Sequence, residues 1–163
     1  MGRVVTEEEL VELVRADRAE GRTIAFANGC FDLLHVGHVR YLADAAKQAD
    51  RLIVAVNDDR SVKSLKGQGR PILGAGDRAE MVAALEGVDY VATFSGPDVN
   101  RLLVLLKPDV HCKGTDYTLE TVPERDTVLA YGGRIAIVGD AKDHSTRDLL
   151  ARVKSSGTRS SGD

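Results

Sequence analysis

The sequence predicts an α/β fold, a single domain in which five parallel strands alternate with helices and form a doubly wound sheet covered on both faces. Three observations predict it. Short apolar runs of strand length recur at 23–28, 51–57, 88–94, 109–113 and 134–138, with helical spacing of apolar residues between them. The run at 51–57 is apolar throughout its middle, as strands buried on both faces are. A chain of 163 residues is the size of one such domain, and its crossovers should be right-handed.

Each element has a local reason. Thr6 and Glu9 make a capping box, and Leu10, Leu13 and Val14 recur at helical spacing, so 6–20 is a helix that Gly21 ends. The strand at 23–28 runs into Gly29-Cys30-Phe31-Asp32-Leu33-Leu34-His35-Val36-Gly37-His38, and a helical pattern follows from 39 to about 48. After the strand at 51–57 comes a short helix over 58–65. Lys66-Gly67-Gln68-Gly69-Arg70-Pro71 then reads as a flexible loop. Asp77 caps a helix to about 86, before the strand at 88–94. Pro97 starts a helix that runs to 106 and is closed by Pro108. The strand at 109–113, a helix over 123–131 and the Gly132-Gly133 turn lead to the strand at 134–138. A last helix opens at His144-Ser145-Thr146 and reaches about 153. The domain thus spans 1–153, and 154–163, low in hydrophobicity, reads as a disordered tail.

Composition narrows the function. A net charge of -3 argues against general electrostatic binding to nucleic acid, which needs a basic surface. No apolar run approaches the roughly 20 residues of a membrane span, and residues 1–9 lack the apolar core of a secretion signal. Cys30 and Cys112 are too few for a disulfide framework and are expected as free thiols. The chain reads as cytoplasmic.

Unusual residues gather at strand ends. His35 and His38 follow the first strand, and Asn57, Asp58 and Asp59 the second. Lys113-Gly114-Thr115-Asp116 follows the fourth, and Ser145-Thr146 opens the last helix. His111 and His144 lie in or beside the same places. In open α/β sheets ligands sit outside the carboxyl ends of strands, near helix N-termini. Two histidines flanking a glycine share one face of the first helical turn, and Gly37 lets a large ligand approach the backbone. That arrangement suits a phosphate better than a packed core. A zinc site built from these histidines with Cys30 or Cys112 matches no standard ligand spacing, so no metal ligands are assigned. Taken alone, Ser145-Thr146 could be an ordinary N-cap, Lys63, Lys66 and Arg70 a solvated loop, and Arg78 an exposed helix charge.

At His35-Val36-Gly37-His38 the chain resembles the nucleotidyltransferase superfamily, whose signature is His-x-Gly-His, and Ser145-Thr146 matches its second signature. Within it, the chain is most similar to the heptose 1-phosphate adenylyltransferases, which form ADP-heptose for lipopolysaccharide or surface glycans. The similarity covers about 23–153. It rests on 28–38, 54–58, Leu65-Lys66-Gly67 with Arg70-Pro71, Arg78, and 113–117. It implies a Rossmann-like fold and transfer of an adenylyl group from ATP, with Mg²⁺, to heptose 1-phosphate, releasing pyrophosphate. His35, His38 and Lys66 would then be catalytic. Asn28, Gly29, Cys30, Phe31, Gly37, Lys113, Gly114, Asp116, Ser145 and Thr146 would bind the nucleotide, and Asn57, Asp58, Lys63 and Arg78 the sugar phosphate. The resemblance further implies a homo-oligomer, at least a dimer, and a separate heptose kinase.

Two departures from relatives stand out. Glycerol-3-phosphate cytidylyltransferases carry an arginine ahead of Ser-Thr, where this chain has Asp140-Ala141-Lys142-Asp143-His144, and Arg147 replaces the usual third hydroxyl. The rival enzyme reading is a cytidylyltransferase acting on a polyol or amino-alcohol phosphate. The rival of another class is a nucleotide-binding regulatory module without turnover.

Overall fold

The computed structural model describes residues 1–140 and 146–159, with 146, 147, 158 and 159 through their backbone alone. The elements are β1 (Arg3–Val4), α1 (Glu7–Ala19), β2 (Ile24–Gly29), α2 (Val36–Ala46), β3 (Arg51–Asn57), α3 (Asp59–Lys66), α4 (Ala75–Ala83), β4 (Tyr90–Phe94), α5 (Asn100–Leu106), β5 (Val110–Lys113), α6 (Arg125–Ala130), β6 (Arg134–Ile137) and α7 (Thr146–Arg159). Among the described residues the sheet has six parallel strands in the order β1-β4-β3-β2-β5-β6.

The sixth strand corrects the expected five. Residues 3–4 are too few to show a periodicity, and they become a strand only by pairing with Tyr90 and Val91 of β4. Gly2 makes this possible. A Cβ there would lie 2.6 Å from the Val88 carbonyl oxygen, while the Gly2 N–H donates to Ala83 O at 2.8 Å.

Alternation along the strands sorts the core into two layers. Ala25, Ala27, Leu52, Val54 and Val56 pack against Leu42 and Ala45 of α2 and Ala79, Val82 and Ala83 of α4. Ile24, Phe26, Ile53 and Ala55 face Leu10 and Val14 of α1, Leu102, Leu103 and Leu106 of α5, and Val128 of α6.

Several boundaries differ from expectation. The helix expected to open at Asp77 begins earlier, at Ala75, with Gly74 as an N-cap that makes no side-chain bond. Asp77 instead sits in the first turn, where its charge complements the helix dipole. Similarly, α2 starts at Val36 rather than 39, because His35 and His38 cap it themselves. α7 continues to Arg159 through the stretch expected to be disordered, with Ser156 Oγ donating to Arg152 O at 3.0 Å. Among the described residues no helix is long and apolar enough to cross a membrane.

Candidate active site

Chain order runs outward from β2 through β3 and β4 on one side, then resumes at β5 and β6 on the other. The sheet therefore has its switch point between β2 and β5, where such folds bind ligands. In-register pairing brings Gly29 level with Val56 on β3, and Phe26 level with His111 on β5. The ends of all three strands consequently open on one crevice. Asn28 and Gly29, Asn57 and Asp58, and Lys113 and Gly114 converge there from separate parts of the chain.

The turn after β2 is built tightly. Phe31 (φ 50°) and Leu33 (φ 58°) both adopt the left-handed conformation, which costs a residue with a side chain and persists only where surroundings impose it. Gly29 makes room for the fold-back: a Cβ there would lie 3.0 Å from the Phe31 ring, tight enough that the ring would have to shift. Asp32 supplies the other constraint. Its buried carboxylate accepts from Arg70 Nε at 2.7 Å, Ile72 N at 2.8 Å and Leu73 N at 3.0 Å, fastening the α3–α4 loop to the turn. Burial raises its pKa, but these donors outweigh burial and hold the carboxyl below its ordinary range. Arg70 is thus no solvated loop charge. Sequence reasoning passed over Asp32 because an aspartate in a turn is commonplace.

His35 is the N-cap of α2. Its Nδ1 accepts from Gly37 N at 3.1 Å, while His38 Nδ1 accepts from His35 N at 3.3 Å. The two rings stack with centroids 3.9 Å apart, and Phe31 packs on His38 at 5.4 Å. Because both Nδ1 atoms accept, each neutral ring carries its proton on Nε2. Burial, then His35, then Lys66 push the His38 imidazole down to about 4. His38 is accordingly a neutral N–H donor at physiological pH. The shift has a stability consequence. Unfolded histidine takes up its proton near 6.5 and folded His38 only near 4, so this residue destabilises the fold progressively as pH falls through that window and has no such effect above it. A histidine NMR titration should show the His38 ring neutral at pH 6. An ordinary titration near 6.5 would contradict the packing described.

Other expected residues divide. Lys66 ends α3, exposed, close enough to the turn for its charge to act on Cys30 and His38. Lys63 lies one turn earlier and is also exposed. Cys30 is half-buried; its Sγ lies 3.8 Å from Asn57 Oδ1, and burial pushes the thiol up, so it is a protonated filler. Asn28 Oδ1 is buried without a hydrogen-bond partner among the described residues. Asp58 was expected to bind substrate, but its carboxylate caps α3 through Ser61 N (2.9 Å) and accepts from Ser95 Oγ. Gly114 is half-exposed and Asp116 exposed, in the turn after β5. His111 does not reach the strand ends; it is wholly buried and pairs with Glu124. His144 and Ser145 lie outside the described residues, as does the Thr146 side chain.

Arg78 is the clearest correction. Expected at the sugar phosphate, its side chain is fully buried. Nε donates to Leu73 O (2.9 Å), Nη1 to Cys30 O (2.6 Å) and Asn57 O (2.7 Å), and Nη2 to Asp59 Oδ1 (2.8 Å). Those bonds tie the turn after β2, the end of β3, the start of α3 and the loop before α4 into one unit. Its donors serve the protein, and it holds the crevice together from beneath.

Comparison with known proteins agrees with this architecture. The sequence model of the cytidylyltransferase-like family matches residues 26–159. The bifunctional protein HldE of Pseudomonas fluorescens is 45% identical over 151 residues, covering 93% of this chain and 32% of that protein. HldE of Alkalilimnicola ehrlichii is 47% identical over 152 residues, with the same coverage. The chain therefore spans about a third of the length of these curated relatives. A crystal structure of the lipopolysaccharide core biosynthesis protein from Thermoplasma volcanium superposes with a TM-score of 0.65 at 25% identity, covering 75% of this chain and all of that one. With a family match across most of its length and the stacked histidines at the sheet's switch point, the chain belongs to the cytidylyltransferase-like family of nucleotidyltransferases.

Proposed function

We propose that the chain is a sugar-phosphate adenylyltransferase that joins ATP and heptose 1-phosphate into ADP-heptose and pyrophosphate. The observation that carries this reading is the stacked His35–His38 pair, with both Nδ1 atoms held by backbone amides at the start of α2. Two neutral Nε2–H donors beside a helix N-terminus and the Lys66 ammonium match a triphosphate. Similarity to HldE supports the heptose side.

In this reaction a phosphate oxygen of heptose 1-phosphate attacks the α-phosphorus of ATP. The new P–O bond forms as the bond to the bridging oxygen of the β-phosphate breaks, and pyrophosphate leaves with that electron pair. The attacking oxygen is ionised at neutral pH, so no general base is needed. Catalysis is positioning plus stabilisation of charge on the α-phosphoryl oxygens. His35 and His38 donate to those oxygens, Lys66 neutralises the triphosphate, and backbone amides around Gly29 to Phe31 and at Gly37 bind further oxygens. Lys113, Gly114 and Asp116, with Asn28, flank the nucleotide, and Ser145 and Thr146 complete its binding. Asn57 and Lys63 serve the sugar phosphate; Asp58 and Arg78 act from behind by holding the crevice.

Among the described residues no cluster of three or more His, Cys, Asp or Glu stands ready to hold a metal. Mg²⁺ would enter with ATP, held by phosphate oxygens and water, and would neutralise charge on the leaving pyrophosphate. The heptose 1-phosphate would come from a separate kinase, and the working unit would be a homo-oligomer in the cytoplasm.

The family description keeps a cytidylyltransferase as the second reading. A grid of ATP, CTP, GTP and UTP against heptose 1-phosphate and glycerol 3-phosphate, read as pyrophosphate release, separates the two. ATP with heptose 1-phosphate should be best, preferred over CTP by about 5- to 150-fold, the scale of one unsatisfied base contact. CTP with glycerol 3-phosphate as the best pair would reverse the assignment. Binding without turnover for any pair would leave a regulatory module.

A further inference from the structure

Glu124 has no part in the site as described, yet it is one of the few acidic side chains this chain buries, with 4% of its surface exposed. It stands at the N-cap position of α6 and makes no capping bond. Its Oε2 lies instead 3.3 Å from His111 Nε2 and 3.7 Å from Lys113 Nζ. His111 and Lys113 are two apart on β5 and so project to one side of the sheet, where Glu124 meets both. Burial pushes Glu124 up, but the His111 hydrogen bond and the Lys113 charge outweigh it and keep the carboxylate ionised. Burial pushes His111 down, so it stays a neutral donor.

A buried ion pair is a poor way to stabilise a fold, since apolar side chains of similar volume serve as well or better. What it does fix is geometry. Lys113 is the last residue of β5, at the switch point, and a lysine there would ordinarily swing on four rotatable bonds. Glu124 instead holds its ammonium 4.9 Å over the ring of Tyr117, in the turn that follows. The same turn is anchored on its other side, where Val138 N donates to Lys113 O at 2.8 Å and Thr115 Oγ1 to Asp140 O at 2.6 Å.

We propose that Glu124 is a positioning residue for the nucleotide: through the Lys113 ammonium it presets the Lys113–Tyr117 corner of the crevice against which ATP is bound. The inference rests on the adenylyltransferase reading for the identity of the nucleotide. An ammonium held against an aromatic face offers a donor and a stacking surface in one fixed arrangement, so binding costs little further ordering.

The test is calorimetric titration of ATP with Mg²⁺ into the full chain without acceptor, paired with steady-state kinetics. Glu124→Gln still accepts from His111 but loses the charge that holds Lys113. It should weaken ATP binding roughly 10-fold and raise the KM for ATP in step, with kcat within about twofold, the signature of lost binding. Lys113→Met should lose at least as much, and adding Glu124→Gln to it should cost nothing more, because the two act as one unit. Tyr117→Leu, at the half-exposed end of the corner, should weaken ATP binding similarly while leaving the Glu124–His111 contact in place. Wild-type affinity in Glu124→Gln overturns the proposal, as do independent, multiplying losses in the double variant. Should Glu124→Gln not fold, unchanged ATP binding by Tyr117→Leu overturns it equally. If the wild type binds ATP but releases no pyrophosphate with heptose 1-phosphate, the proposed activity falls and the role of Glu124 is still decided. A wild type that does not bind ATP overturns both.

Discussion

Replacing His38 by alanine should lower turnover about 100-fold, the loss of about 3 kcal/mol expected if its Nε2–H donates to the reacting phosphoryl group as proposed. Stability changes far less. His38 contributes to the fold by accepting from His35 N at 3.3 Å and by packing on Phe31, and loss of such a cap typically costs about 1 kcal/mol. In a chain of this length that lowers Tm by about 2–4 °C. The same separation of effects applies to His35→Ala, whose Nδ1 holds Gly37 N. Initial rates of pyrophosphate release beside a thermal melt read both quantities. Near wild-type turnover in a folded His38→Ala protein would remove His38 from the reacting centre.

Arg78→Ala should do the reverse and unfold the crevice rather than empty it. The guanidinium is fully buried and serves three carbonyls and the Asp59 carboxylate. Deleting the guanidinium costs about 3–5 kcal/mol, because three backbone carbonyls lose their donor together, while the half-exposed Asp59 carboxylate turns to water. At about 2–4 °C per kcal/mol the melt should fall by roughly 6–20 °C. Arg78→Lys should recover little, since one ammonium cannot span acceptors on four segments. Thermal unfolding decides it. An unchanged Tm together with a raised KM for the sugar phosphate would return Arg78 to the substrate side.

These two variants mark a division in what the chain reveals. The placement of His35 and His38 was legible because it is local, at a strand-to-helix turn around a glycine. Arg78, read alone, looks like any exposed helix charge, and only the approach of four segments turns it into a buried tie. Asp32 belongs with Arg78: its partners Arg70, Ile72 and Leu73 lie some forty residues on, and no spacing announces them. Glu124 follows the Lys113–Asp116 segment by only a few residues, but its pairing with His111 and Lys113 depends on how the intervening chain folds back, which residue spacing does not show.

Read as sequence alone, the chain already shows the α/β class, the alternation of strands and helices and the sheet edge at which the proposed site lies. Those follow from periodicity and from turn residues, which are properties of neighbours along the chain. It also determined the family, through a signature contained within a single turn. Whatever depends on segments distant in sequence emerges only on folding. Folding made residues 3–4 a sixth strand, because their hydrogen bonds come from β4. It sent Asp58 and Arg78 to hold the crevice and sank His111 beneath it, because burial and partner atoms are set by packing rather than by residue type. A charge or an imidazole has no role until its surroundings fix whether it meets solvent, a ligand or another side chain, and here those surroundings are assembled from across the chain.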